Sequence, residues 1–188
     1  MLDYLIIGGG IAGISAAARL SEHGATLVLE AEAHLAYHTS GRSAALYEQN
    51  YGSPSTVALA KAARTDFHGM LSGVLSPRGF LLVCLQGEEA QFEYDLEHMH
   101  LSEVAVADAA KLVPILDSSS VIRTASSATA RDIDTDMMLQ IFARRIHANG
   151  GTVATNQQVT AIDKTKQSWR VTTVSGQYEA QKIVNAAG

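Results

Sequence analysis

Tyr4-Leu5-Ile6-Ile7-Gly8-Gly9-Gly10-Ile11-Ala12-Gly13, continued through Ile14 to Glu30, decides how this chain folds. Tyr4 to Ile7 is a short apolar run, the pattern of a strand buried on both faces. Gly8, Gly10 and Gly13 then occupy the three demanding places of G-x-G-x-x-G. Ile14 to His23 is Ala-rich and predicts a helix, with Gly24 as its stop. Thr26 to Leu29 is a second apolar run, and it ends in the acid Glu30. A lone G-x-G-x-x-G also occurs in ordinary tight turns. Strand, glycines, helix, strand and terminal acid in register are specific to a dinucleotide-binding βαβ unit. Gly8 makes the tight turn, Gly10 lets backbone approach a pyrophosphate, and Gly13 lets helix pack on strand. The helix N-terminus offers N–H groups and a partial positive charge to phosphates. Glu30 can accept hydrogen bonds from ribose hydroxyls, and an acid there would repel the 2′-phosphate of NADP.

Beyond this unit the pattern alternates. His38 to Ala45 reads as a loop leading into a short helix, and Ser55 to Val74 carries a helical apolar stripe at Ala60, Ala63, Phe67, Met70/Leu71 and Val74. Strands are predicted at Phe80 to Leu85 and Val121 to Ser126. Helices are predicted at Glu88 to Met99, charged and exposed, and at Ala107 to Val113, stopped by Pro114. Asp134 or Thr135 can cap a helix from Asp136 to Ala148 whose inner face is Met138, Ile141, Phe142 and Ile146. Thr152 to Thr155, Gln158 to Asp163 and Ser168 to Val174 read as strands, and a Ser175-Gly176 turn leads through Tyr178 into Ile183-Val184-Asn185.

Composition narrows the function classes. With 47% apolar and 18% charged residues among 188, the chain is globular rather than disordered. A net charge of −5 gives no support for nucleic-acid binding. Cys84, the single cysteine, lies in an apolar run and reads as a buried small hydrophobe. The seven histidines show no metal-ligand spacing, so no metal is expected. No Ser-His-Asp or Cys-His set and no paired carboxylates compete for a catalytic role. No apolar run approaches the roughly 20 residues that span a bilayer. A first strand starting near residue 2 leaves no room for a signal peptide, so a cytoplasmic location is expected.

Four segments carry a family resemblance: Asp3 to Glu32, Tyr37 to Gly52 around Gly41-Arg42-Ser43-Ala44-Ala45, Asp132 to Asp136, and Ile183 to Gly188. Through them the chain resembles the amino-terminal half of the flavoprotein amine oxidoreductases of the D-amino-acid oxidase superfamily, and within it the D-arginine type of D-amino-acid dehydrogenase. The resemblance implies FAD rather than NAD. The implied fold class is α/β: a Rossmann-like FAD-binding domain, a parallel sheet with a β-meander, incomplete and made of residues 1–50 and 128–188. Residues 51–127 would form part of an α+β substrate domain.

Carried onto this sequence, the resemblance places Gly8, Gly10, Ile11, Ala12 and Gly13 on the ADP pyrophosphate and Glu30 on the adenosine ribose. Ser40, Arg42, Ser43, Ala44 and Ala45 match the loop that wraps the FAD phosphates and approaches the flavin. Hydroxyls and a guanidinium among small residues suit phosphate and ribityl oxygens. Val159 matches a main-chain contact to adenine, and Ala187 and Gly188 match the loop under the ribityl chain. Tyr51 matches a substrate-facing tyrosine in a lid spanning Tyr47 to Pro54. The sequence departs from the subgroup twice: Leu46 replaces a lid histidine, and Phe80 replaces the acid that faces a cationic side chain. Such a pocket suits an apolar amino acid better than arginine or lysine, because an unpaired buried cation is costly.

The implied chemistry is oxidation of the Cα–N bond by hydride transfer to flavin N5, giving an imino acid that hydrolyses to a keto acid and ammonia. The electron acceptor is unspecified. Family members continue for about as long again, and the arginine that grips the substrate carboxylate matches no residue here. The expectation is therefore a fragment, inactive alone. Two alternatives remain: a glycine, sarcosine or 2-hydroxy-acid oxidase of the same superfamily, and a non-catalytic nucleotide-binding remnant.

Overall fold

The computed structural model describes residues 1–188. In chain order the elements are β1 (Leu2–Ile7), α1 (Ile11–Leu20), β2 (Thr26–Leu29), β3 (Leu46–Tyr47), α2 (Pro54–His68), β4 (Leu75–Pro77), β5 (Phe80–Leu85), α3 (Glu89–His98), β6 (Ser102–Val104), α4 (Val106–Leu112), β7 (Val121–Ser127), β8 (Arg131–Ile133), α5 (Thr135–Ala148), β9 (Thr152–Ala154), β10 (Val159–Lys164), β11 (Trp169–Thr173) and β12 (Gly176–Asn185). A 3-10 turn covers Thr39–Arg42. The chain forms two compact units, one of Met1–Ala44 with Thr135–Gly188 and one of Ala45–Asp134.

The first unit is built on a six-stranded sheet ordered β10-β11-β12-β1-β2-β9. β12, β1, β2 and β9 run parallel, whereas β10, β11 and β12 form an antiparallel meander. Central β1 is buried on both faces as its unbroken apolar run requires: Leu5 and Ile6 are fully buried and Ile7 nearly so. Leu5, Ile7, Leu27 and Leu29 join Val171 and Ala180 in a core on one face. α1 covers the other face, burying Ile14, Ala17 and Ala18. α5 packs beside α1 and buries Met138, Leu139, Phe142 and Ile146, so Leu139 takes the fully buried place expected of Ile141. A Glu22–Arg145 ion pair of 2.8 Å ties the turn after α1 to α5. α1 ends at Leu20 with Ser21 as its cap, earlier than the sequence pattern indicates, and Asp3 accepts the Ala25 N–H at 2.8 Å across the turn that follows.

The second unit carries two three-stranded antiparallel sheets, β3-β8-β4 and β5-β7-β6. α3 is not simply an exposed helix. It sends Phe92 into a core with Cys84, Met99, Leu101 and Ala125. α2 buries no residue, and the apolar stripe expected along it is completed by Leu71 and Val74, which are buried after the helix has ended at Gly69. Ala45–Asp134 cluster together as this unit, in which β8 pairs with β3 on one side and β4 on the other.

Candidate functional site

Turn, helix start and strand end of the first unit converge on a cleft of about 480 Å³. Its walls are Gly8 to Ala12, Glu30-Ala31, Ala36 to Ser40, Gln157 to Val159 and Ala186 to Gly188. The cleft lies at the carboxyl ends of the parallel strands, where open α/β sheets bind ligands.

Steric limits make this turn a glycine turn. Gly8 has φ +108°, and a Cβ there would sit 2.2 Å from the Ala186 carbonyl oxygen. A Cβ on Gly13 would sit 1.9 Å from the Gly8 carbonyl oxygen, so α1 can meet β1 only without it. Gly10 is different: its Cβ would face only Ser40 Oγ, at 3.2 Å, so the room it leaves is room in the cleft. A Cβ on Gly9, which the motif leaves unspecified, would sit 2.5 Å from Leu35 Cδ2 and 2.7 Å from Glu30 Oε2, side-chain atoms rather than backbone.

Gly10 is the N-cap of α1 and supplies no capping side chain, and the first turn holds no acid. Such an end favours an anion. The Ile11 N–H donates to Ser40 Oγ at 3.0 Å, which brings the Ser40 hydroxyl, 29 positions away in sequence, to the helix end. Glu30 is 9% exposed. Its Oε2 accepts the Gly9 N–H at 2.5 Å and its Oε1 the Glu32 N–H at 2.8 Å. Each carboxylate oxygen keeps a lone pair, so backbone donors aim the group while leaving it able to accept hydroxyl donors.

Gly8, Gly10, Ile11, Ala12, Glu30, Ser40, Val159, Ala187 and Gly188 all line this one cleft. Gly13 stands behind it, in the helix–strand contact. Arg42 is exposed, with its guanidinium 5.6 Å from the Tyr37 ring centroid, and Ser43 and Ala44 are exposed beyond the 3-10 turn. Ala45 belongs to the second unit, where its carbonyl accepts the Ile133 N–H at 2.9 Å. Sequence reasoning missed Gly9, Tyr37, Gln157 and Ala186. Of these only Gly9, the middle of three consecutive glycines, carried a readable signal; the others reach the cleft through contacts between segments far apart in sequence.

In the second unit the three expected substrate-facing residues are in different settings. Tyr51 is 61% exposed and lines a cavity of about 390 Å³ with Asn50, Val57, Tyr94, Asp95 and His98. Leu46 is half-buried on β3 opposite Asp132. Phe80 packs against the core of Cys84, Phe92 and Met99.

Residues 3–188 match the family of FAD dependent oxidoreductases. The chain belongs to that family. The fold agrees: L-alpha-glycerophosphate oxidase from Mycoplasma pneumoniae superposes with a TM-score of 0.86 at 20% identity, over 100% of this chain and 54% of that one. L-proline dehydrogenase from P. horikoshii gives 0.82 at 21% identity over 99% and 52%, and glycine oxidase from Geobacillus kaustophilus 0.83 at 17% over 100% and 55%. This chain thus spans about half the length of those structures. FAD is the family's cofactor, and the cleft suits it: glycines where a pyrophosphate needs close approach, an uncapped helix end, a hydroxyl beside it and an aimed carboxylate for a ribose. No helix is long and apolar enough to cross a membrane.

Proposed function

We propose that the full-length natural protein is an FAD-dependent enzyme that oxidises the Cα–N bond of an amino acid, with apolar D-amino acids as the preferred class. One observation carries the reading: the cleft in which Gly8, Gly10, Ser40 and Glu30 are brought together in a chain of the FAD dependent oxidoreductase family. Bound FAD supplies the hydride acceptor. The residues here do the holding. The α1 end and Ser40 take the pyrophosphate, Glu30 takes the ribose, and main chain at Val159 and Ala187-Gly188 follows the adenine and ribityl parts. Arg42, Ser43, Ala44 and Ala45 join as the loop that runs beside the phosphates. The D-arginine-type subgroup is favoured by Gly41-Arg42-Ser43-Ala44-Ala45 and by Asp132 to Asp136.

Tyr51 is assigned to cover the substrate, and its exposure leaves it free to do so. The apolar preference rests on Leu46, which presents no hydrogen-bond acceptor to a cationic side chain. Phe80 adds to it through resemblance, its ring being engaged with the α3 core. With Leu46 in place of a polar partner, kcat/KM for D-leucine or D-methionine should exceed that for D-arginine by at least about tenfold, since one unpaired charge costs more than a kcal/mol. A strong preference for D-arginine would overturn the pocket assignment. Glycine, sarcosine or a 2-hydroxy acid is the second reading, favoured by the breadth of chemistry among the superposed structures. Product analysis separates them: ammonia with a longer 2-keto acid supports the first reading, formaldehyde supports sarcosine, and a keto acid without ammonia supports the hydroxy acid.

A further inference from the structure

The turn that carries Tyr51 is held by a buried carboxylate. Glu48 is 6% exposed and follows directly on the two-residue strand β3. Its main-chain carbonyl accepts the Tyr51 N–H at 3.2 Å, closing the turn. Its side chain folds back over the same turn, Oε1 accepting the Asn50 N–H at 3.2 Å. Oε2 accepts from Ser127 Oγ at 3.1 Å and Thr129 Oγ1 at 3.5 Å, at the end of β7 and just beyond it. Ser127 and Thr129 are themselves coupled, with 2.8 Å between their hydroxyl oxygens and the Thr129 N–H on Ser127 Oγ at 3.2 Å.

A carboxylate served by neutral donors is an expensive way to fill a buried site, since desolvation is not repaid by an ion pair. What it provides is an acceptor-only group with two oxygens in fixed relation. One oxygen sets the turn and the other is tied to a strand far away in sequence. On the far side of Tyr51 the segment is anchored as well, because Ser53 caps α2 by accepting the Thr56 N–H at 3.3 Å. The exposed Tyr51 ring therefore takes its direction from a short segment clamped at both ends.

We infer that Glu48 is a positioning residue for Tyr51, fixing the turn that presents the phenol to the amino-acid substrate. This rests on the reading of Tyr51 as the substrate-facing tyrosine. The test is a double-mutant cycle in the full-length protein with Glu48→Ala and Tyr51→Ala, read by steady-state kinetics, FAD content and amide exchange. Glu48→Ala should raise KM about tenfold, as expected for losing hydrogen bonds to a charged group, with kcat within about twofold and FAD content unchanged. Glu48→Gln, which keeps the Oε1 acceptor for Asn50, should recover most of the loss. In the Tyr51→Ala background Glu48→Ala should move KM by less than about twofold, because the group it positions is gone. Exchange at the Asn50 and Tyr51 amides should accelerate about tenfold or more in Glu48→Ala. An equal KM rise in both backgrounds, or unchanged exchange at the two amides, overturns the proposal. A Tyr51→Ala protein with wild-type KM overturns the Tyr51 assignment and the functional half of the inference, while the exchange measurement still decides whether Glu48 holds the turn. If Glu48→Ala does not fold, Ser127→Ala carries the same cycle, with a KM rise of about threefold expected and no change overturning it.

Discussion

Gly13→Ala and Gly10→Ala add the same methyl group three residues apart, yet the structure assigns them different consequences. At Gly13 the new Cβ would lie 1.9 Å from the Gly8 carbonyl oxygen, 3.0 Å from its carbonyl carbon and 3.3 Å from Ile6 Cγ2. The obstacle is backbone, so no rotamer relieves it. α1 must retreat by roughly 1 Å to restore ordinary contact, and a gap of that size forfeits a quarter to a half of the dispersion attraction across it. The side chains that would lift off the sheet are Ile14, Ala17 and Ala18, all fully buried. Overpacking a core costs about 1–3 kcal/mol, and here the lost helix–sheet contact adds to it, giving about 3 kcal/mol or more out of a typical 5–15. For a full-length protein about twice as long as this chain, that lowers Tm by roughly 3–5 °C. At Gly10 the nearest atom is Ser40 Oγ at 3.2 Å, the end of a rotatable side chain. Stability of the FAD-free form should stay within about 0.5 kcal/mol of wild type, while FAD retention falls because the methyl stands where the pyrophosphate must approach. Thermal unfolding of the FAD-free full-length protein together with flavin absorbance after desalting reads both effects. Equal Tm losses for the two variants would refute the division of labour. A Gly10→Ala protein retaining stoichiometric FAD would refute the cradle, and the bulkier Gly10→Val makes that test stricter.

Two further outcomes follow from ionisable groups. The Ser119 and Ser120 hydroxyls each donate to Asp117 at 2.6 Å and hold its carboxyl down from 3.8 to about 2. Its folded pKa is depressed, so its contribution to stability is present above the unfolded value of ~3.9 and is lost as pH falls toward about 2. In a carboxyl NMR titration the midpoint should rise part of the way toward ~4 in Ser119→Ala/Ser120→Ala, which keeps the backbone N–H donors, and an unmoved midpoint would contradict the assignment. Burial pushes the Cys84 thiol up, with Glu89 and Glu88 adding to the effect. Native protein should therefore resist a thiol reagent near neutral pH and react fully once unfolded. Rapid labelling of the native form would show that the α3 core opens far more readily than its packing indicates.

What the amino-acid sequence determined by itself was local. Tyr4 to Glu30 could be read as strand, glycine turn, helix, strand and acid because the constraints that select its residue types act mostly within a few residues or between neighbouring strands. Phe80–Leu85 was legible as an unbroken apolar run, and the α5 stripe as a helical repeat long enough to show its period. The tertiary structure decided the rest. β3, β4 and β8 have two or three residues each, too few for a period, and exist because their backbones pair across long loops. Ser40 reaches the α1 end, Ala186 closes over Gly8, and Gln157 is held at the cleft by its N–H on the Glu30 carbonyl, contacts that no residue type announces. Glu48 looks like an ordinary surface acid in the sequence. Only the end of β7, 79 positions away, makes it buried and gives its second oxygen a partner.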